Sequence, residues 1–223
     1  MAKQLDLQEQ EQLDELKAFW KEHGNLITWV LVLALLAFAG WNGWRLWERT
    51  QAEAAAGLFE ELDKAVLAGD ATRVGRAFGD LKERYPRTAF AQQAGLIAAR
   101  VQSEKGQADA ARAALAWVAD NGAENEYKAI ARLRLAGVLM EAKQYDEALK
   151  QLDGTKAAEF DALIADRRGD ILLAQGKAAE AQAAYAAAYK SMDEKLDYRR
   201  LVEAKLTALG AAPAASAASG AAP

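Results

Sequence analysis

Residues 143–152 read KQYDEALKQL, and residues 175–190 read QGKAAEAQAAYAAAYK. Each begins in a short turn and runs into a helix-forming stretch whose apolar residues recur at helical spacing. Working back along the chain, the same arrangement returns at Leu-Ala-Gly-Asp (67–70) and Glu-Lys-Gly-Gln (104–107). The turn positions are then Gly69, Gly106, Lys143 and Gly176, separated by 37, 37 and 33 residues. A self-similar period in the thirties, filled by two helices and a turn, predicts a helical solenoid. In such a fold each unit buries one face on its neighbour, and about three or more units close a core. No strand-like alternation occurs between about residues 50 and 209, so the fold class is all-α.

The side chains around the turns support a single register. Five residues after each turn stand Val74, Ala111, Ala148 and Ala181, small enough for the second helix to cross the first closely. Four further on come Phe78, Leu115, Leu152 and Tyr185. Seven before the turns lie Leu62, Ala99, Ala136 and Gly169. The last two units resemble the tetratricopeptide pattern, and Pro86 falls where a repeat's terminal proline would. Asp197 to Leu209 reads as a terminal capping helix, with Leu201, Leu206 and Leu209 packing back and Arg199, Arg200, Glu203 and Lys205 in water. Residues 210–223, GAAPAASAASGAAP, offer too little large apolar surface to offset ordering entropy and are expected to be disordered.

Ahead of the repeats, Leu26 to Trp44 reads LITWVLVLALLAFAGWNGW without a charge. About 20 residues at ~1.5 Å each span a ~30 Å hydrocarbon core, so this is a membrane anchor. Five of the chain's six tryptophans lie between positions 20 and 47, as aromatic belts require. Ala37-Phe38-Ala39 matches a signal-cleavage site, but the preceding segment is long and acidic and the apolar run continues past it, so the anchor is read as uncleaved. Lys17 and Lys21 on one side balance Arg45 and Arg49 on the other, so local charge does not orient the span. Residues 6–22 form an amphipathic helix leading into it, with a capping-box-like start at Asp6-Leu7-Gln8-Glu9.

The organisation is therefore a tail over 1–25, an anchor over 26–47, a tetratricopeptide-like domain with a C-terminal capping helix over 48–209, and a low-complexity tail over 210–223. Within the anchor, Trp41, Trp44 and Trp47 form a slowly drifting stripe. Gly40 and Gly43 beside it would admit a neighbouring helix, and Asn42 could hydrogen-bond across. Residues 40–47 are thus candidates for docking in the membrane.

Chemistry is poorly provided for. The 28 basic and 32 acidic residues give a net charge of −4, without the basic surplus of a nucleic-acid binder. Cysteine is absent, which excludes disulfides, zinc–thiolate sites and thiol nucleophiles. The single histidine, His23, lies at the membrane face, so neither Ser103 nor Ser191 has a histidine base. Carboxylates one helical turn apart, such as Asp166 and Asp170, read as a solvated face. No phosphate loop is present. No enzyme, cofactor or metal is expected.

The acidic tail QEQEQLDELKAFWKEHGN (8–25), the anchor ending GWNGWRLWERTQAEAA (40–55), the short repeats and the closing RRLVEAKLTALG (199–210) together resemble the YfgM family, ancillary subunits of the bacterial Sec translocon. That resemblance implies an inner-membrane protein with a cytoplasmic N-terminus and periplasmic repeats. It also implies association with the Sec channel and with a membrane-anchored periplasmic chaperone of the peptidyl-prolyl isomerase type. Repeats of the tetratricopeptide kind line a concave groove with their first helices. Counting from the turns, the groove-facing candidates are Phe59, Val66, Leu96, Arg100, Ile130, Leu133, Met140, Leu163, Asp166, Asp170 and Leu173. Such a groove would be more apolar than one built for acidic tails and suits an unfolded segment or a partner helix. Three functions follow: a translocon-associated scaffold for a chaperone, a holdase binding unfolded clients directly, or an envelope-assembly adaptor independent of the channel.

Overall fold

The computed structural model describes residues 7–155 and 157–212. The expected capping box at Asp6 and all but the first residues of the low-complexity tail lie outside them. Every regular element among the described residues is helical. The helices are α1 (Leu7–Leu67), α2 (Ala71–Arg84), α3 (Ala89–Glu104), α4 (Ala108–Asn121), α5 (Asn125–Glu141), α6 (Tyr145–Asp153), α7 (Asp161–Ala174), α8 (Ala178–Ser191) and α9 (Asp197–Ala208), with a 3₁₀ turn at Ala158–Phe160 before α7. The chain divides into two units, residues 1–51 and 52–223.

The first unit is helical over its described length and carries the apolar run. One stretch of it is long and apolar enough to cross a membrane, with a mean hydropathy of 1.8 and only 6% of it buried. Polar groups inside it turn back on their own backbone. The Thr28 hydroxyl donates to the Gly24 carbonyl at 2.7 Å, and the Asn42 amide to the Phe38 carbonyl at 2.9 Å. An exposed apolar helix whose polar side chains are satisfied internally suits a lipid solvent.

In the second unit the turns are what the register required. Gly69, Gly106, Lys143 and Gly176 all have positive φ, between 60° and 79°. At each, the N–H of the positive-φ residue donates to the carbonyl three back, and the next N–H to the carbonyl five back, at 2.8–3.0 Å. This bonding satisfies the last carbonyls of the preceding helix and demands the left-handed region that glycine enters without cost. Lys143 adopts it despite its Cβ.

The crossing positions are buried as spaced. Val74, Ala111, Ala148 and Ala181 are at most 1% exposed, and the larger residues four further on at most 5%. A Cβ built on Gly169 would lie 2.5 Å from the Tyr185 ring, so α7 and α8 meet backbone against aromatic face. Two apolar clusters result. One runs from Ala55 and Leu62 through α2–α6 to Ile171, and the other joins Leu172 of α7 to Ala181 and Tyr185 of α8 and Val202 and Leu206 of α9.

The C-terminal helix departs from expectation in three places, the first being Arg199, expected in water, which lies over the Tyr189 ring at 3.9 Å with its side chain only 22% exposed. Val202 and Leu206 are the buried residues of α9, whereas Leu201 is 48% exposed. Lys205, expected in water, turns inward to the carboxylates of α7. The physical reason is register. Gly210, with φ of 77°, closes α9 with the same bonding as the four earlier turns, 34 residues after Gly176. Helix α9 is therefore the first helix of a fifth unit, and its buried positions follow the repeat rather than a free amphipathic pattern.

Candidate functional site

The first helices of the units are the end of α1, then α3, α5, α7 and α9. Where α3 and α5 lie side by side they leave a cleft of about 380 Å³ lined by Gln93, Leu96, Ile97, Arg100 and Arg134. A second cleft of about 250 Å³ adjoins it and shares both arginines, with Ser103, Glu104 and Val138 along its wall. The Gln93 amide donates to the Tyr127 hydroxyl at 2.6 Å, tying the two helices together at the cleft's edge. Leu96 is 8% exposed and forms part of the floor, while Arg100 and Arg134 stand in solvent.

The other groove candidates fall into three groups. Phe59 is half-buried, its ring 5.3 Å from that of Phe90. Val66, Ile130, Leu133 and Met140 are also half-buried, packed on the larger cluster. Leu163 and Leu173 remain exposed.

Asp166 and Asp170 do not face solvent, contrary to the reading of a solvated carboxylate face. Asp166 is 2% exposed. Lys205 Nζ lies 2.8 Å from Asp166 Oδ1 and 2.7 Å from Asp170 Oδ1. The Tyr198 hydroxyl donates to Asp166 at 2.7 Å and the Tyr185 hydroxyl to Asp170 at 2.8 Å. Burial, then these bonds to carboxylates, push both phenols well above the usual tyrosine range. In the unit before, the residues at the register of Asp166, Asp170 and Lys205 are Leu133, Gly137 and Ile171. The two carboxylates and the lysine thus stand at register positions without charge in the unit before.

In the first unit, Trp41, Trp44 and Trp47 are exposed, and a Cβ on Gly40 or Gly43 would meet nothing within 4 Å. The Trp44 and Trp47 rings lie 5.2 Å apart, and Trp44 Nε1 donates to Glu48 at 2.8 Å.

Comparison with known proteins places this architecture. Residues 17–211 match the family described as a tetratricopeptide repeat-like domain. A protein of Neisseria gonorrhoeae named ancillary SecYEG translocon subunit is 34% identical over 207 residues, covering 91% of this chain and 98% of its own. The chain belongs to this tetratricopeptide repeat-like family of ancillary translocon subunits. Proteins of the same name from Escherichia coli and Haemophilus influenzae are 32% and 29% identical, over 82% and 83% of this chain.

Within this tetratricopeptide repeat-like domain, Arg134, Ile97 and Gln93 are cleft residues that counting from the turns passed over. Ile97 and Arg134 each stand nine residues before their turn, a position shared by Arg167. Charge at that position marks Arg134 and Arg167. Among the described residues, no group of three or more His, Asp and Glu side chains is placed to hold a metal ion.

Proposed function

We propose that this protein is a non-enzymatic ancillary subunit of the Sec translocon, held in the bacterial inner membrane by residues 26–47, which positions a periplasmic chaperone beside emerging chains. The observation that carries this reading is the similarity to proteins named ancillary SecYEG translocon subunit over nearly the full length of both chains. Conservation of length means that tail, anchor and repeats are matched together, and an adaptor needs all of them: one part in the membrane near the channel and one that binds. In this reading residues 1–25 are cytoplasmic and 48–223 periplasmic. The exposed tryptophans and the open surfaces at Gly40 and Gly43 are available to a neighbouring membrane helix, and the first-helix clefts to the chaperone.

The test is an anchor swap in membranes. Replacing residues 26–47 by an unrelated span should weaken copurification with the channel while leaving crosslinks from the repeats to the chaperone unchanged. Full copurification after the swap would move the contact to the tail or the repeats. Loss of nothing in either assay, including after deletion of the repeats, would remove the protein from the translocon. Protease added outside intact spheroplasts should digest the repeats, and protection there reverses the topology. A second reading, direct binding of unfolded clients, is favoured by the exposed Leu163 and Leu173 on α7. Suppression of aggregation by the protein alone would establish it.

A further inference from the structure

The cleft between α3 and α5 is more basic than the apolar groove expected by counting from the turns, because Arg134 joins Arg100 there, and it carries a charge that the chain as a whole does not. The protein is net negative at −4, yet the larger cleft is lined by two arginines and no acid. Both guanidinium groups are exposed, and among the described residues neither is within 4.0 Å of a carboxylate. Arg112, Arg168 and Arg167 pair with Glu147, Asp153 and Asp170, while Arg76, Arg84, Arg87, Arg132 and Arg200 also lack an ion pair among the described residues; what sets Arg100 and Arg134 apart is that they share one cleft. The adjoining smaller cleft adds one acid, Glu104, and stays positive.

We infer that this cleft binds an extended acidic segment of a partner protein, one in which carboxylate side chains alternate with apolar ones. A guanidinium presents a planar fork of N–H donors that matches a carboxylate in bidentate fashion. Two such forks over one cleft select for two carboxylates rather than one. Leu96 and Ile97 supply an apolar floor for the side chains between them. Gln93 gives one amide proton to Tyr127, which leaves its oxygen to accept a backbone N–H from an extended chain. An extended strand places successive same-side residues about 6.6 Å apart, twice its rise of ~3.3 Å per residue, so acid and apolar groups reach opposite faces of the cleft in alternation. Both arginines keep their water in the free protein, so binding does not have to break an existing ion pair first.

The inference rests on reading the repeats as a partner-binding domain, not on association with the channel; copurification tests the channel, and peptide binding tests the cleft. The experiment uses the full-length protein in neutral detergent micelles and fluorescence anisotropy. The probes are a short labelled peptide alternating Leu and Glu and its counterpart alternating Leu and Gln. The Glu peptide should bind about tenfold more tightly at low salt, a preference that shrinks as salt is added. Arg100→Gln with Arg134→Gln should abolish the preference, with an unchanged melting curve because both side chains are exposed. Arg200→Gln, on the exposed face of α9, should leave it intact. Equal binding of the two peptides, binding of neither, or a preference that survives the double substitution would overturn the inference. So would its loss in Arg200→Gln, or the capture of phosphatidylglycerol added to the micelles in place of either peptide.

Discussion

Lys205→Met tests whether the last helix is held by charge. Lys205 Nζ contacts Asp166 at 2.8 Å and Asp170 at 2.7 Å, and the Asp166 side chain is only 3% exposed. At an effective dielectric constant of ~20, each contact is worth about 6 kcal/mol of Coulomb attraction before desolvation. Desolvation of the buried Asp166 and of the lysine offsets most of that. What the substitution exposes is the cost of an uncompensated buried carboxylate, about 3–5 kcal/mol when one partner of a buried pair is removed. Lys205 keeps 23% of its side-chain exposure and water can replace part of the contact, so the lower end, about 3 kcal/mol, is expected. The assay is urea denaturation of residues 52–223, followed by circular dichroism. Lys205→Met together with Asp166→Asn should recover part of the loss, because the neutral amide removes the stranded charge while keeping a polar partner for Tyr198. A Lys205→Met domain as stable as the unmodified one would refute the account and make α9 a passenger held by Val202 and Leu206 alone.

Three further tests probe the register and the phenols. Ala148→Leu or Ala181→Leu should each cost about 1–3 kcal/mol by overpacking a crossing with no exposed surface, while Ala187→Leu, on the outside of α8, should cost far less; equal melting temperatures for all three would dissolve the register. Lys143→Gly should stabilise the domain by about 0.5–1 kcal/mol, since glycine carries no Cβ into a φ of 60°, and a loss of stability in thermal melts would deny that the turn is strained. Tyr185 and Tyr198 hold their protons more tightly folded than unfolded, so their contribution is fully present below the ordinary value of 10 and falls away as pH rises above it. Stability measured from pH 9 upward should therefore decline more steeply in the unmodified domain than in Tyr185→Phe with Tyr198→Phe, and parallel curves would contradict the burial of the phenols.

The turns were legible because a left-handed residue after a helix is a local demand, met by glycine at three of four positions, and because the period carries Lys143 into place as the fourth. Crossing positions were legible for a related reason: only small side chains fit them. The fifth turn at Gly210 was passed over because the alanine-rich sequence beyond it lacks the spaced large apolar residues that mark a second helix. Long-range polar pairing was not legible. Asp166 and Lys205 are 39 residues apart, and their meeting depends on how successive first helices pack, which spacing within a unit does not specify. The same holds for Arg100 and Arg134. Counting from a turn says which way a residue points within its own unit, but the sign of a cleft is decided by two units together. Leu201 was misassigned because a leucine at helical spacing looks like core until the neighbouring helix shows which stripe it covers.

A stack of repeats has an intrinsic hazard, since any unit's outer face is shaped to receive another unit. In the earlier units a second helix packs on the first, and on α9 a shallow cleft of about 520 Å³ is lined by Arg200, Glu203, Ala204, Thr207 and Ala208. The apolar position held by Leu62, Ala99, Ala136 and Gly169 in the earlier first helices is here Glu203. A second copy offering its own helix would have to strip water from an arginine and a glutamate, a cost that works against head-to-tail stacking at this face.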